Sequence, residues 1–400
     1  MKAVFDDPQF SFQMLRILGS AGVGQAEVGE CLSTAYRIEE GDFDSWYKEW
    51  LKTAKRVHKI ADDCLAKGHE VSAREAYMRA SNYYRASEFY LHGNPEDPRI
   101  KELSGTSTAC FNQAVELMDI PMERMDIPYE DTTLPGIFYR PDSSDTPRAT
   151  LIYQTGFDGT MEELYPGAAA ANRRGLNCLT FEGPGQGRVI REQGLPFRPD
   201  WEKVVTPVVD YVLSRGDVDP KRIALMGLSM GGYMAPRAAA FEHRLSACIA
   251  NGGVFDFMGS RIPPGMTRQQ FIDFMKNDPD DFNKGMEQMM EQNTEMRWAI
   301  ANGMFTFKAS SPVDWMLKAL QYELSGVADK IQCPTLVIDT EDDVSFKGQA
   351  KPLYDALTCP KTFMLFTREE GAEDHCQVGT PQLSQQKVLD WLQEVFVKKK

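Results

Sequence analysis

The chain has 400 residues, enough for one large domain with additions or for two domains, each with a substantial core. Its 42% hydrophobic and 26% charged residues mark a globular protein rather than a disordered one, and a formal net charge of -14 argues against nonspecific binding to nucleic acid or anionic lipid, both of which need a basic face. No apolar run approaches the roughly 18 residues of a membrane-spanning helix, and acids stand where a secretory signal keeps its apolar segment, so a soluble, cytoplasmic protein is expected.

The eight cysteines are scattered singly with no CxxC pair, the pattern of reduced thiols rather than of a disulfide framework. The five histidines form no HExxH and no close His/Cys cluster, so no metal site is expected.

Residues 1–120 read as a run of helices, with apolar positions at three- and four-residue spacing through SWYKEWLKTAKRVHKIADDCLAKGHEVSAREAYMRASNYYRASEFYL. Gly68-His69 marks the end of one helix, and Ser72 with Glu75 suits a capping box opening the next. From about residue 124 the texture alternates, and a turn near Asp131-Thr132 predicts a β-hairpin. ATLIYQTG, LNCLTFEG, RIALMGLS, SACIANGG and PTLVIDT then follow as β-rich runs, mostly separated by helical patterns, which predicts a mostly parallel sheet flanked by helices. Residues 254–329 break this rhythm with a helical, Met-rich stretch that has no obvious sheet strand. The expected division is therefore a helical N-terminal cap domain (1–120), a first α/β core segment (121–253), a helical lid insertion (254–329) and a second core segment (330–400). An insertion after a strand's carboxyl end sits over the ligand crevice of such a sheet.

The chemistry centres on Gly227-Leu228-Ser229-Met230-Gly231, a glycine-studded turn between the apolar run Ile223 to Met226 and a helical pattern. Strand, sharp turn and helix are the context a nucleophilic serine needs, because the turn lifts the hydroxyl above the sheet edge while the helix start offers free N–H groups to a developing oxyanion. A serine hydroxyl also needs a base, and an acid and a histidine should follow it in the chain. Asp343 lies three residues past Thr340, where strand PTLVIDT turns; Asp342 and Asp339 are its competitors. His375, in a loop between TFMLF and the terminal helix, is the one histidine with the right chain order and placement. For the oxyanion hole the expected donors are the N–H of Met230, after the nucleophile, and the N–H of Phe157 in the loop LIYQTGFDGT, where Gly156 permits the turn. Gly183-Pro184-Gly185-Gln186-Gly187 lacks the spacing of a dinucleotide fingerprint and the Lys-Ser/Thr of a P-loop, so no cofactor is implied.

With these residues placed, the chain resembles the α/β-hydrolase superfamily, and within it the branch of 2,6-dihydroxypseudooxynicotine hydrolase and the fungal polyketide-shortening (yellowish-green) hydrolases. TGFDGTMEE, LTFEGPGQGR, GLSMGGYMA and SAREAYMRASNYYR carry the likeness. The resemblance implies an α/β-hydrolase fold with helical N-terminal elements capping the active site, a triad of Ser229, Asp343 and His375, and hydrolysis of a carbon–carbon bond beside a ketone in a β-dicarbonyl or polyketide-like compound. Related branches hold esterases. Two departures are visible: Glu182 stands where relatives often have Asp before Gly-Pro-Gly-Gln-Gly, and no equivalent of the extra acid proposed to assist C–C cleavage is evident, Asp256 being nearest by position.

Aromatic and Met side chains recur on the helices, and core packing accounts for most of them. A few are expected to line a site for a flat, hydrophobic, oxygenated small molecule; Tyr77, Tyr84 and Met289 are the candidates for substrate binding. Arg74, Arg79 and Arg85 are candidates to orient an enolate or phenolate, with helical ion pairs as the alternative. Three readings remain open at this point: a C–C bond hydrolase; an esterase, thioesterase, lactonase or acyltransferase using the same triad; and a catalytically idle binding protein on the same fold. The oligomeric state, a homodimer included, is left open.

Overall fold

The computed structural model describes residues 1–118 and 120–398; Asp119 and the last two lysines, which fall within the expected cap domain and second core segment, lie outside the described residues. Five helices open the chain: α1 (Pro8–Gly19), α2 (Val28–Ala35), α3 (Phe43–Leu65), α4 (Glu70–Glu88) and α5 (Pro98–Glu116). Asp7, Asp42 and Asp97 cap α1, α3 and α5 by accepting backbone N–H bonds at their starts. Gly68 ends the α3 region in a left-handed conformation, with the His69 N–H bonded back to the Cys64 carbonyl. The expected capping box at Ser72 does not form, because α4 already begins at Glu70 and Ser72 sits inside its first turn.

The sheet has eight strands in the order β1-β2-β4-β3-β5-β6-β7-β8. Strands β1 (Met122–Tyr129) and β2 (Thr132–Tyr139) form the antiparallel hairpin, turning at Glu130 with positive φ, and β2 runs antiparallel to β4. The other pairings, among β3 (Arg148–Gln154), β4 (Asn177–Phe181), β5 (Val218–Leu228), β6 (Ala247–Asn251), β7 (Thr335–Thr340) and β8 (Lys361–Phe366), are parallel. Helices α6 (Tyr165–Asn172), α7 (Glu202–Leu213) and α8 (Gly231–Ala239) make the crossovers after β3, β4 and β5. Between β6 and β7 the chain runs through four helices, α9 (Arg268–Asn277), α10 (Pro279–Gln292), α11 (Thr294–Thr306) and α12 (Pro312–Ala319). Helix α13 (Ala350–Ala356) then precedes β8, and α14 (Pro381–Val397) ends the described chain.

Strands β4 and β6 are buried at every residue, as parallel strands covered on both faces must be. The two faces carry separate hydrophobic cores. One joins Leu151, Ala224 and Ile249 to Phe10, Trp46, Trp50 and Tyr83 of the N-terminal helices; the other joins Ile152, Leu225 and Val337 to Trp201, Tyr233, Trp315 and Tyr322. The N-terminal helices thus share a core with one face of the sheet. No helix among the described residues is long and apolar enough to cross a membrane.

Candidate active site

Ser229 follows β5 directly and adopts φ +61°, a conformation that a non-glycine residue holds only when its surroundings over-determine it. Here they do: the Ser229 N–H donates to the Asn251 carbonyl at 2.8 Å, and the Ser229 carbonyl accepts from the Gly232 N–H at 2.7 Å. A Cβ on Gly227 would run into the Gly231 backbone, and one on Gly231 would lie 2.7 Å from the Thr155 carbonyl oxygen. The glycines on either side of the serine are therefore needed for close backbone approach.

His375 Nε2 lies 2.8 Å from Ser229 Oγ, and its Nδ1 lies 2.8 Å from Asp343 Oδ2. A carboxylate only accepts, so Nδ1–H donates to Asp343 and Nε2 is left to accept the serine hydroxyl. The other oxygen of Asp343 accepts the N–H groups of Ser345 and Phe346, both at 2.8 Å. Burial by itself would raise the Asp343 carboxyl, but the charge and hydrogen bond of His375 with the two N–H bonds hold it below its ordinary value. Burial by itself would lower His375, and the Asp343 carboxylate outweighs it to raise the imidazole well above its usual range. The competing acids are engaged elsewhere or apart: Asp342 is paired with Arg368 at 2.6 Å in an exposed position, and Asp339 makes no bond to His375.

Phe157 follows β3 in the loop that abuts this turn. Among the described residues neither the Phe157 N–H nor the Met230 N–H has a hydrogen-bond partner, as donors awaiting an oxyanion require. The loop is tethered from two sides. Gln186 Nε2 donates to the carbonyls of Thr155 and Gly156 at 3.0 and 3.1 Å, while buried Glu182 accepts the N–H groups of Met161 and Arg188 at 3.0 and 2.7 Å. From the other side Asn302 of α11 donates to the Phe157 carbonyl at 3.1 Å, and its own oxygen meets His92 Nδ1 at 2.8 Å. His92 continues through Nε2 to Glu88, which Arg191 holds at 2.8 Å. Three segments far apart in sequence, around residues 88–92, 182–191 and 302, are thus linked to one short loop.

Residues 149–385 match the model of the alpha/beta hydrolase family. The chain belongs to that family. Full-length relatives agree: hydrolase acrC of Aspergillus aculeatus is 37% identical, with 97% of this chain and 96% of the relative aligned. The 20-hydroxy-prefusarin hydrolase FUS2 of Gibberella moniliformis is 36% identical across 100% of this chain and 99% of its own. Among solved structures, 2,6-dihydroxy-pseudo-oxynicotine hydrolase superposes with a TM-score of 0.75 at 22% identity, covering 96% of this chain and 97% of that one, a likeness of fold. This chain is accordingly an α/β hydrolase whose relatives are fungal hydrolases.

In this α/β hydrolase a cavity of about 270 Å³ opens onto Ser229 and His375. Phe157, Phe257, Trp298 and Trp315 give it apolar walls, and α1 contributes Phe12, Gln13 and Arg16. Trp298 of α11 stacks on Phe89 at 5.3 Å and meets Phe157 edge-on at 5.9 Å, so the N-terminal helices and the insertion meet over the site. Arg16 ties α1 to the segment after β3 through Asp158 at 2.6 Å and Glu163 at 2.9 Å.

The structure corrects the expected substrate contacts. None of Tyr77, Tyr84 and Met289 lines this cavity. Tyr77 is buried in α4 with its hydroxyl on Asp62 at 2.7 Å, and Tyr84 meets His58 at 3.2 Å, so both serve packing among the N-terminal helices. Met289 is 46% exposed on α10. Arg79 and Arg85 are paired with Glu30 and Glu163, and Arg74 reaches the Leu117 carbonyl; these arginines also stay out of the cavity. Asp256 is occupied by Arg268 at 2.6 Å and does not line it either. Sequence reasoning missed Arg16, Arg261, Glu295 and Trp298, which come from segments without a recognisable motif, and Asp158, which lies inside TGFDGTMEE but was assigned no role there.

Proposed function

We propose that this hydrolase uses Ser229 as nucleophile, His375 as general base and acid and Asp343 as the group that orients and charges the imidazole, on a hydrophobic small-molecule substrate. The observation that carries the reading is the continuous hydrogen-bonded chain from Asp343 through His375 to a serine at positive φ, beside two unpaired backbone N–H groups. His375 takes the Ser229 proton as Oγ adds to a substrate carbonyl. The N–H groups of Phe157 and Met230 stabilise the resulting oxyanion.

The finer reading is cleavage of a carbon–carbon bond beside a ketone in a β-dicarbonyl or polyketide-like substrate. Collapse of the tetrahedral adduct would then break the bond between carbonyl carbon and α-carbon, leaving its electron pair on an enolate that accepts the proton from His375. Water, deprotonated by His375, hydrolyses the acyl-serine and restores the hydroxyl. The apolar walls of the cavity, a relative that is a 20-hydroxy-prefusarin hydrolase and a fold neighbour that is a 2,6-dihydroxy-pseudo-oxynicotine hydrolase support a carbon-rich oxygenated substrate. Product analysis with a 1,3-diketone beside a matched ester tests the bond type. Diketone cleavage to a carboxylic acid and a ketone is expected; exclusive ester turnover removes the C–C reading and leaves an esterase.

A further inference from the structure

Arg261 differs from the other arginines packed around the site. Arg16, Arg85 and Arg191 each have a carboxylate oxygen within 2.9 Å. Arg261 lines the same cavity as Ser229 and His375, yet among the described residues its side chain has no ion pair, and its one side-chain hydrogen bond runs from Nη1 to the Phe257 carbonyl at 3.1 Å. Its guanidinium lies 5.8 Å from the Phe257 ring and 6.0 Å from that of Phe346, and Phe346 in turn packs 5.5 Å from His375. Glu295, on the first turn of α11, lines the cavity too, and its carboxylate has neither a hydrogen bond nor an ion pair among the described residues. The cation and the acid face one cavity without closing on each other.

A guanidinium presents about five N–H donors in a planar fork. Placed between aromatic walls and partly shielded from bulk water, it is stabilised by a planar, delocalised anion that can take two of those donors at once. Burial pulls Arg261 below its ordinary range, and the negative charges of Glu295 and Asp343 only partly offset it. Glu295 is shifted upward by its own burial, against the pull of Arg261, which weakens it as a standing counter-ion.

We propose that Arg261 is the anion-recognition residue of this cavity, so that the hydrolase selects apolar substrates carrying a planar oxyanion, either a carboxylate or the enolate of a 1,3-dicarbonyl. The inference rests on the cavity at Ser229 being the substrate site. The recognised anion sits against Phe257 and Phe346, on the His375 side of the cavity, and the apolar body of the substrate extends toward Trp298 and Trp315.

Calorimetric titration tests this in a Ser229→Ala background, where no probe turns over and wild type means Arg261 intact. The probes are 4-phenylbutanoate, the ionised form of 5-phenylcyclohexane-1,3-dione, and neutral 4-phenylbutanamide. A charge-assisted pair of hydrogen bonds predicts that at least one anion binds the wild type about 10-fold or more tightly than the amide. Arg261→Met should reduce that advantage to about 2-fold or less with amide affinity unchanged, and Arg261→Lys should keep part of it. The anion with the larger Arg261-dependent advantage distinguishes the carboxylate from the enolate source. If Arg261→Met does not fold, Arg261→Gln carries the same comparison. No preference for either anion in the wild type, including no measurable binding, overturns the proposal, as does a preference that survives the loss of Arg261. A protein that binds the anion through Arg261 but hydrolyses nothing would keep this inference and lose the serine-hydrolase reading.

Discussion

Gly156→Ala isolates the fit between the loop after β3, the proposed oxyanion hole, and the turn that carries Ser229. Gly156 is not in the left-handed region, so alanine is permitted by its backbone and the substitution acts through space alone. A Cβ there would lie 2.5 Å from the Leu228 carbonyl oxygen, 2.7 Å from the Met230 nitrogen and 3.0 Å from Ser229 Cβ. Ordinary carbon contacts are about 3.5–4.0 Å, so the loop has to retreat by roughly 1 Å against backbone that cannot give. The Phe157 N–H retreats with it and leaves the roughly 2.7–3.1 Å range in which it can bond an oxyanion. Losing one such donor costs about 10²–10³ in kcat, or about 2.7–4 kcal/mol of transition-state stabilisation. Overpacking adds a destabilisation of about 1–3 kcal/mol, because Gln186 and Asn302 hold the loop in place. The assay is kcat on a short-chain p-nitrophenyl ester beside thermal unfolding of both proteins. A kcat within about threefold of wild type, with unchanged unfolding, would refute the assignment of this loop to the oxyanion hole.

Further predictions follow the same geometry. Ser229→Ala and His375→Ala should each lower kcat by about 10⁴ or more, and Asp343→Asn similarly or less, whereas Asp342→Asn should leave kcat unchanged because Asp342 is occupied by exposed Arg368. Since only neutral His375 can accept the serine proton, activity is lost as pH falls through its pKa. With that pKa raised by Asp343, the ascending limb of kcat/KM should lie above pH 6.5, and Asp343→Asn should move it to lower pH while lowering the plateau. Met289→Ala should change thermal stability by no more than about 0.5 kcal/mol and leave relative rates across substrates untouched. Trp298→Ala, at the cavity wall, should shift preference toward bulkier acyl groups when kcat/KM is measured across an ester series.

The parts of the site legible in the sequence are those fixed by local backbone chemistry and chain order. Ser229 announces itself because its strained turn requires glycines at neighbouring positions, and His375 because one histidine occupies a loop after the last strand pattern. Asp343 against Asp342 was a choice of one residue; in the fold it becomes a choice between a carboxylate beneath the imidazole and one facing solvent. The cavity walls were not legible, since they arise where α1, α11 and the loop after β6 meet, and no periodicity within one segment reports a contact between segments. The aromatic stripe of α4 that nominated Tyr77 and Tyr84 packs instead against its neighbouring helices. Gly156, read as a turn residue, is required for want of space rather than for backbone freedom. Gln186 lay in a quoted motif, but its role appears only when its side chain is seen to reach the Thr155 and Gly156 carbonyls.

The central claim is that Ser229 is an activated nucleophile, and intact-mass spectrometry after treatment with a fluorophosphonate tests it most directly. A single phosphonyl adduct is predicted, mapping to the peptide that contains Ser229, absent in Ser229→Ala and formed far more slowly in His375→Ala. A wild-type protein that stays unmodified, or an adduct that persists in Ser229→Ala, would contradict the account.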